Sequence, residues 1–366
     1  MTRPARNILL TPGPATTTQG VKDALAVPDI CPREGEFGAV VAAIRSGLLE
    51  VAGADPRTHT AVLVGGPGTA AVEAAIGSAV PPNGRLLVMS NGAYGERAAA
   101  IARVLGVSHS CWDVPWTESP SPEEFSARLA GPGGPFTHAF WVHHETTTGM
   151  LNPLDAFAEA CRSRGVVPIV DAMSSFAGMP LPLGRLPIGY LITSSNKCLQ
   201  GMAGIGIVFS RLDALGASRG SARSVALDLH AHEAGERSGQ FPFTPPVQVA
   251  YALLQAVRET LEETVAGRAA RYRSCYESML AGMERLGFEA LLPPALRSGL
   301  LTAFRTPARP GFGYGALHDH LLGLGVTLYP GKLPGTDTFR VANIGDITTA
   351  DIRTFLTGVE TYTNAL

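Results

Sequence analysis

Lysine is scarce in this sequence. Of 29 lysine and arginine residues only three are lysines, Lys22, Lys197 and Lys332, so arginine carries almost all of the positive charge. Arginine stays protonated and does not form imines, whereas a lysine near cationic or apolar neighbours can lose its proton and attack a carbonyl. An amine nucleophile would therefore have three possible positions in this chain.

Long apolar runs, blocks of positive charge and paired cysteines are also missing. The five cysteines form no C-x-x-C pair and no Cys/His spacing of a metal site, which argues against zinc and favours reduced thiols. No segment has the apolar length of a membrane span or of a signal peptide core. A net charge of −2 without a basic cluster argues against a nucleic-acid partner. We expect a soluble, cytoplasmic protein.

The middle of the chain alternates apolar runs with helical patterns. The predicted strands are residues 61–64, 86–89, 137–142, 166–170, 190–193 and 205–209. Such alternation indicates a mainly parallel sheet flanked by helices on both faces, and ligands bind such sheets beyond the carboxyl ends of the strands. We predict an α/β fold with this sheet in a large domain and a smaller C-terminal α+β domain.

The chain length of 366 residues, with 45% apolar content, favours two domains over one. We expect an N-terminal arm over residues 1–20, a large domain over 21–255 and a small domain over 256–366. Residues 222–246 contain Gly, Pro, His230 and His232 and predict an irregular connection. The two histidines have no third ligand nearby, so we expect no metal site.

Residues 65–69, with the sequence GGPGT, follow a predicted strand and open a predicted helix. A phosphate can bind at such a turn through free backbone N–H groups and the helix dipole. The turn also matches a dinucleotide fingerprint, but that interpretation needs an acidic residue after the next strand. Residues 90–94, SNGAY, contain none, and the Gly-Lys-Ser/Thr of a nucleotide P-loop is missing as well.

Two further strands end on residues suited to pyridoxal phosphate. Asp171 follows the strand at 166–170 and can pair with the ring nitrogen of that cofactor. Lys197 follows the strand at 190–193 and is the best placed of the three lysines to bind its aldehyde. Alone, Asp171 could be a helix cap and Lys197 a surface charge. The phosphate turn, carboxylate and lysine in this order are more specific than any one of them.

Other residues could complete such a site. Tyr94 can stack on a flat cofactor ring, and the hydroxyls of residues 146–148, Thr147 among them, can hydrogen-bond its phenolic oxygen or the ring-nitrogen carboxylate. Arg340, in a predicted strand of the small domain, can bind a substrate carboxylate or phosphonate bidentately. Arg33 and Lys332 are weaker candidates for that task. Loop, turn and surface roles remain the alternatives for these residues.

Several strings of the sequence together resemble one enzyme family, the 2-aminoethylphosphonate:pyruvate aminotransferases of the class V, fold-type I pyridoxal phosphate group. The strings are residues 10–17 (LTPGPATT), 28–34 (PDICPRE), 90–95 (SNGAYG), 145–150 (ETTTGM), 170–176 (VDAMSSF), 195–198 (SNKC) and 339–345 (FRVANIG). The resemblance spans essentially the whole chain. The strings at 28–34, 90–95 and 145–150 favour the phosphonate branch over other class V enzymes.

The resemblance implies a role for each matching residue. Lys197 would bind the cofactor aldehyde as an imine, Asp171 would pair with the ring nitrogen and Tyr94 would stack on the ring. The residues implied for the phosphate are Gly68, Thr69, Asn196 and, from the other subunit of a homodimer, Thr244. Arg340 would bind the substrate anion. Pro67 departs from the family pattern, because a serine or threonine often stands there and proline offers neither a hydroxyl nor an N–H.

The implied reaction moves the amino group of 2-aminoethylphosphonate to pyruvate and yields phosphonoacetaldehyde and L-alanine, in either direction. An alanine or serine:glyoxylate type of class V aminotransferase, and a transaminase of a related phosphonate such as phosphonopyruvate, are the alternative functions. From a different class, the chain could be a cofactor-binding scaffold without catalysis. Lys197, Asp171 and Arg340 together argue against that scaffold.

Overall fold

The structure is a computed structural model that describes residues 7–366, so the first six residues of the predicted arm lie outside it. The strands are β1 (Ile8–Leu9), β2 (His59–Gly65), β3 (Leu86–Ser90), β4 (His109–Asp113), β5 (His138–Val142), β6 (His144–Glu145), β7 (Met150–Leu151), β8 (Val167–Asp171), β9 (Tyr190–Ser194), β10 (Ile205–Arg211), β11 (Leu301–Arg305), β12 (Val326–Thr327), β13 (Tyr329–Pro330) and β14 (Thr338–Ala342). The helices are α1 (Gln19–Asp23), α2 (Gly35–Val51), α3 (Gly68–Ala79), α4 (Ala93–Val104), α5 (Pro122–Ala130), α6 (Leu154–Arg162), α7 (Leu212–Ala217), α8 (Leu229–Arg237), α9 (Val247–Glu263), α10 (Val265–Arg285), α11 (Tyr314–Gly323) and α12 (Thr349–Asn364).

A seven-stranded sheet of order β2-β10-β9-β8-β5-β3-β4 forms the centre of the larger part of the molecule. The pairs among β4, β3, β5, β8 and β9 are parallel, and β10 runs antiparallel to both β9 and β2. Separate apolar clusters cover the two faces of this sheet, as expected for strands buried on both sides. The predicted α/β fold class and mainly parallel sheet are confirmed.

Small residues let the helices pack closely on the sheet. On α3, Ala71, Ala74 and Ala75 are fully buried. A Cβ at Gly206 of β10 would come within 2.6 Å of the Ala71 Cβ, so the sheet has room for this helix only because residue 206 is glycine. This close packing fixes the first turn of α3 above the carboxyl ends of the neighbouring strands.

The C-terminal part has a three-stranded sheet of order β11-β14-β13 and its own apolar cluster with α10, α11 and α12. The N-terminal segment joins this part to the larger one. β1 pairs in parallel with β12, the Ala342 N–H donates to the Leu10 carbonyl, and the Ala15 N–H donates to the Asn196 carbonyl. The segment therefore runs from the small sheet to the loop that contains Lys197.

The prediction of irregular structure throughout residues 222–246 was wrong, because α8 occupies Leu229–Arg237. Tertiary contacts stabilise this polar helix. Both carboxylate oxygens of the fully buried Glu236 accept from the Leu63 N–H of the edge strand β2 at 3.0 Å. His230 and His232 lie on this helix with separate partners, Ser218 and the Ala226 carbonyl. Among residues 7–366 no three His, Cys, Asp or Glu side chains are placed to hold a metal.

None of the helices within residues 7–366 has the length and apolar character needed to traverse a lipid bilayer. The division into an arm, a large domain and a small domain at residues 20 and 255 stays a prediction. Residue 255 lies inside α9, which packs on α2 through Leu253, Leu254 and Val257 of the larger part's core.

Candidate active site

The carboxyl ends of the central strands surround a cavity of about 220 Å³. Six of the residues singled out in the sequence line it, namely Gly68, Thr69, Tyr94, Asp171, Asn196 and Lys197. They come from the ends of β2, β3, β8 and β9 and from the helices that follow, so the strand order brings together residues up to 129 positions apart in the chain. The location agrees with the general rule for ligand sites in open α/β sheets.

Lys197 is half-buried, and it lines the cavity. Its Nζ donates to the Pro12 carbonyl of the N-terminal segment at 2.7 Å. Burial lowers the pKa of this amine, and the nearby Arg340 guanidinium lowers it further against the opposing effect of Asp171. A lowered pKa increases the fraction of neutral, nucleophilic amine.

The N-terminal segment passes so close to Lys197 that residue 13 has to be glycine. Its φ is +129°, and a Cβ at this position would overlap the Nζ, Cδ and Cε atoms of Lys197. The TPGP string of the sequence thus holds the amine in place from one side.

Asp171 ends β8 and is fully enclosed. Its Oδ1 accepts from the Met173 N–H at 2.8 Å. Burial raises the pKa of this carboxyl to about 6, although Met173 and Lys197 favour its charged form. A buried carboxylate with only a neutral N–H donor suits a cationic partner such as a protonated ring nitrogen.

The turn at residues 65–69 leads directly into α3, with Pro67 at the cap position and no side-chain cap. A Cβ at Gly68 would meet the Met173 sulphur at 2.6 Å. Residue 68 therefore has to be glycine for its backbone to line the cavity. Arg97, which the sequence reasoning missed, also lines the cavity and donates to the Thr69 hydroxyl at 3.2 Å. The sequence does contain a sign of this, because Arg97 lies three residues after Tyr94 and therefore on the same face of the helix.

Arg340 on β14 is a buried cation, only 2% exposed. Its Nε donates to the Pro330 carbonyl at 3.0 Å and its Nη1 to the Thr146 carbonyl at 3.1 Å. It forms no ion pair with any carboxylate among residues 7–366. Burial lowers the pKa of this guanidinium, with Tyr94 opposing the shift. A buried guanidinium without a carboxylate partner can bind an external anion, although Arg340 is not among the residues that line the cavity.

Glu145 is the second residue that the sequence reasoning missed, and it is buried. Its carboxylate is 0% exposed and accepts from the Thr147 hydroxyl at 2.6 Å, the Thr147 N–H at 2.9 Å and the Tyr94 N–H at 3.3 Å. It therefore ties the backbone of Tyr94 to the β6–β7 turn. Thr147 does not line the cavity, since its hydroxyl is taken up by Glu145 and the Ala93 N–H.

Thr244 and Arg33 lie away from the cavity of their own chain. Thr244 is exposed on the segment between α8 and α9, next to Phe243, whose side chain is 45% exposed. Arg33 donates to the Phe241 carbonyl at 2.7 Å. The predicted role of Thr244 in a second subunit stays a prediction.

His144 adds a polar group that no described residue satisfies. Its Nδ1 donates to the Ser174 carbonyl at 3.1 Å, because a carbonyl only accepts. Burial lowers the pKa of this ring to about 4, so the neutral ring presents Nε2 as an acceptor. This atom is buried and has no hydrogen-bond partner among residues 7–366, and the residue lines the cavity.

The sheet order, the cavity at its carboxyl edge and the lysine after β9 place the molecule among the fold-type I enzymes that use pyridoxal 5′-phosphate. The cavity fits that group. It offers an amine for the aldehyde, a carboxylate for the ring nitrogen, and the open first turn of α3 for the phosphate. The unpartnered His144 Nε2 is a further sign that a ligand belongs there.

Comparison with known proteins agrees with this class. The aminotransferase class-V family model matches residues 34–306. A protein of Syntrophobacter fumaroxidans named 2-aminoethylphosphonate–pyruvate transaminase is 44% identical over 348 residues, 94% of this chain and 93% of the relative. A protein of the same name from Aeromonas hydrophila is 43% identical over 356 residues, 95% of this chain and 93% of the relative.

Solved structures share the fold over the full length. The alanine–glyoxylate aminotransferase of Nostoc sp. superposes with a TM-score of 0.90 at 25% identity, covering 99% of this chain and 96% of the other. The chain therefore belongs to the class-V aminotransferase family, and it is an aminotransferase that uses pyridoxal 5′-phosphate.

The first prediction concerns Asp171. Because its pKa in the folded protein, about 6, lies above the ordinary value of 3.8, its ionisation destabilises the cofactor-free fold above pH 6, and this penalty fades as the pH falls towards 4. Asp171→Asn should therefore stabilise the cofactor-free protein at pH 8 by up to ~3 kcal/mol, and not at pH 4. Urea unfolding at both pH values measures this difference. A variant less stable than the parent at pH 8 would contradict the assignment of a buried, unpaired carboxylate.

The second prediction concerns Gly13. Gly13→Ala should displace the Lys197 amine and lower the transamination rate by about 10²-fold, since small misplacements of reacting groups have effects of this size. The control is Gly53→Ala, at a glycine with a φ of +59° and no atom within 4 Å of its added Cβ. The control should lose stability through backbone strain but keep its rate. Equal rates for the two variants would show that the contact with Lys197 is unimportant.

Proposed function

We propose that this aminotransferase moves the amino group of 2-aminoethylphosphonate to pyruvate, giving phosphonoacetaldehyde and L-alanine. The observation that carries the proposal is Arg340, a buried cation without a carboxylate partner beside the Lys197 amine. Both substrates carry an anion at one end, a phosphonate or a carboxylate, and each can bind a guanidinium bidentately. The identity of 43% to 44% with relatives named for this reaction supports the choice of substrates.

We assign the cofactor contacts from the residues around the cavity. Gly68, Thr69 and Asn196 would hold the phosphate, and Arg97 would offset the lack of a donor at Pro67. Tyr94 would cover one side of the ring, and Asp171 would face its nitrogen. The bound group supplies an electron sink for the negative charge that develops on the substrate carbon.

The chain itself has to move one proton. In each half of the reaction, the Nζ of Lys197 would move a proton between the amino-bearing carbon of the substrate and the aldehyde carbon of the cofactor, as a general base and then a general acid. Its lowered pKa favours the neutral form that this task needs. Arg340 fixes the anionic end of the substrate, so that the reacting carbon lies next to that amine.

Glu145 acts as a positioning residue in this proposal. It holds the backbone of Tyr94 on one side and that of Thr147 on the other, while the neighbouring Thr146 carbonyl accepts from Arg340. The role of Thr147 is then to anchor Glu145, and through it Tyr94, against the cofactor.

The proposal includes a homodimer with shared sites, in which Thr244 of each subunit completes the phosphate site of its partner. The exposure of Thr244 and Phe243 on a segment outside their own cavity supports this arrangement. We also propose the division into arm, large domain and small domain given above. The five free cysteines support a cytoplasmic location.

A screen of amino donors and acceptors tests the proposed function. With 2-aminoethylphosphonate, alanine, pyruvate and glyoxylate offered in pairs, we expect the fastest turnover for 2-aminoethylphosphonate with pyruvate. Arg340→Ala should raise KM for both of these by about 10-fold to 100-fold, because a charged hydrogen bond to each is lost. Turnover of alanine with glyoxylate but not of the phosphonate would refute the choice of substrate. A higher KM for only one substrate would mean that another cation binds the other.

A further inference from the structure

We propose that Lys332 is a second anion-binding residue that selects the phosphonate substrate over the carboxylate substrate. The inference rests on the proposed function and deepens it. Arg340 alone matches a carboxylate, and Lys332 adds the charge that a phosphonate needs.

Lys332 lies beside a residue that lines the cavity. Its Nζ is 5.5 Å from the centre of the Tyr94 ring, and Tyr94 lines the cavity. The guanidinium of Arg97 lies 4.9 Å from the same ring centre. Lys332 is exposed and forms no ion pair with a carboxylate among residues 7–366. Its charge is therefore available to a ligand.

Lys332 and Arg340 belong to one hairpin. In the register of β13 and β14, Tyr329 lies opposite Arg340 and Pro330 opposite Phe339. The Gly331 N–H donates to the Thr338 carbonyl at 2.8 Å and closes the pairing. Lys332 is the next residue, and the Pro330 carbonyl just before it accepts from Arg340. One hairpin thus brings two cations near Tyr94, the buried Arg340 and the exposed Lys332.

The two substrates differ in charge. A carboxylate carries one negative charge, which one guanidinium balances, whereas a phosphonate loses a second proton near neutral pH, as a phosphate does, and has three oxygens that accept hydrogen bonds. Lysine suits the second position because its ammonium is a compact charge on a long flexible stem. Arg33, the other candidate, is held at the Phe241 carbonyl, whereas Lys332 lies beside the ring of Tyr94.

The test measures donor selectivity in the complete, cofactor-loaded enzyme. Lys332→Met removes the charge, Lys332→Arg keeps it, and Lys22→Met removes a distant exposed lysine as a control. We expect Lys332→Met to lower kcat/KM for 2-aminoethylphosphonate by about tenfold, mainly through KM, because the lost contact is charged but exposed. The kcat/KM of Lys332→Met for alanine should stay within about twofold of the parent value. Lys332→Arg should keep most of the selectivity, and Lys22→Met should keep all of it.

A binding measurement separates this role from a structural one. Ethylphosphonate should raise the melting temperature of the parent enzyme more than that of Lys332→Met, whereas propionate should act equally on both. Equal losses for both donors, or no loss for either, would overturn the assignment of Lys332 and leave the proposed function intact. A parent enzyme that does not accept 2-aminoethylphosphonate would overturn both proposals, and this outcome is visible before any variant is compared.

Discussion

The site depends on one half-buried amine. Lys197 lines the cavity, and its Nζ has a neutral carbonyl, that of Pro12, as its hydrogen-bond acceptor. Without a carboxylate in direct contact, burial disfavours the ammonium form and lowers the pKa of the amine. Much of the surrounding structure serves this condition. The N-terminal segment supplies the carbonyl, Gly13 leaves room for the side chain, and Arg340 adds a repelling positive charge.

The candidate site concentrates groups that oppose folding. Asp171 and Arg340 are buried and Lys197 is half-buried, none of them in a direct ion pair, and burying charge in this way is unfavourable without a ligand. The close packing of α3 on β10 and the apolar clusters on both faces of the sheet have to stabilise the fold against them. In the proposed function, cofactor and substrate would supply the missing partners, so their binding would stabilise the folded chain. Function and stability therefore conflict at these three residues.

Local patterns were enough to predict the central sheet and much of the site. Strands β3, β8 and β9 are wholly or almost wholly buried, and each is an apolar run in the sequence. Asn91 follows β3, Asp171 is the last residue of β8, and Asn196 and Lys197 lie shortly after β9. Their carboxyl ends have to meet at one edge, which places Asp171 and Lys197 together before any coordinates are known. The glycine-rich turn before α3 follows from the same argument.

Long-range contacts account for what the sequence did not predict. The polar helix α8 exists because Glu236 satisfies an edge-strand N–H of β2, a contact 173 residues apart. The contact between Pro12 and Lys197 spans 185 residues. No local pattern shows that Glu145 would be buried against the backbone of Tyr94. Only the folded hairpin of β13 and β14 shows that Lys332, rather than Arg33, lies beside Tyr94. Patterns along the chain do not encode such distances.

The most direct test of the account is to locate the lysine that binds the cofactor aldehyde. Reduction of the complete enzyme with borohydride makes that link permanent, and mass spectrometry of the resulting peptides identifies its position. With only three lysines in the chain, the result is unambiguous. The account predicts that the cofactor mass is found on Lys197. A label on Lys22 or Lys332, or no label on any lysine, would contradict it.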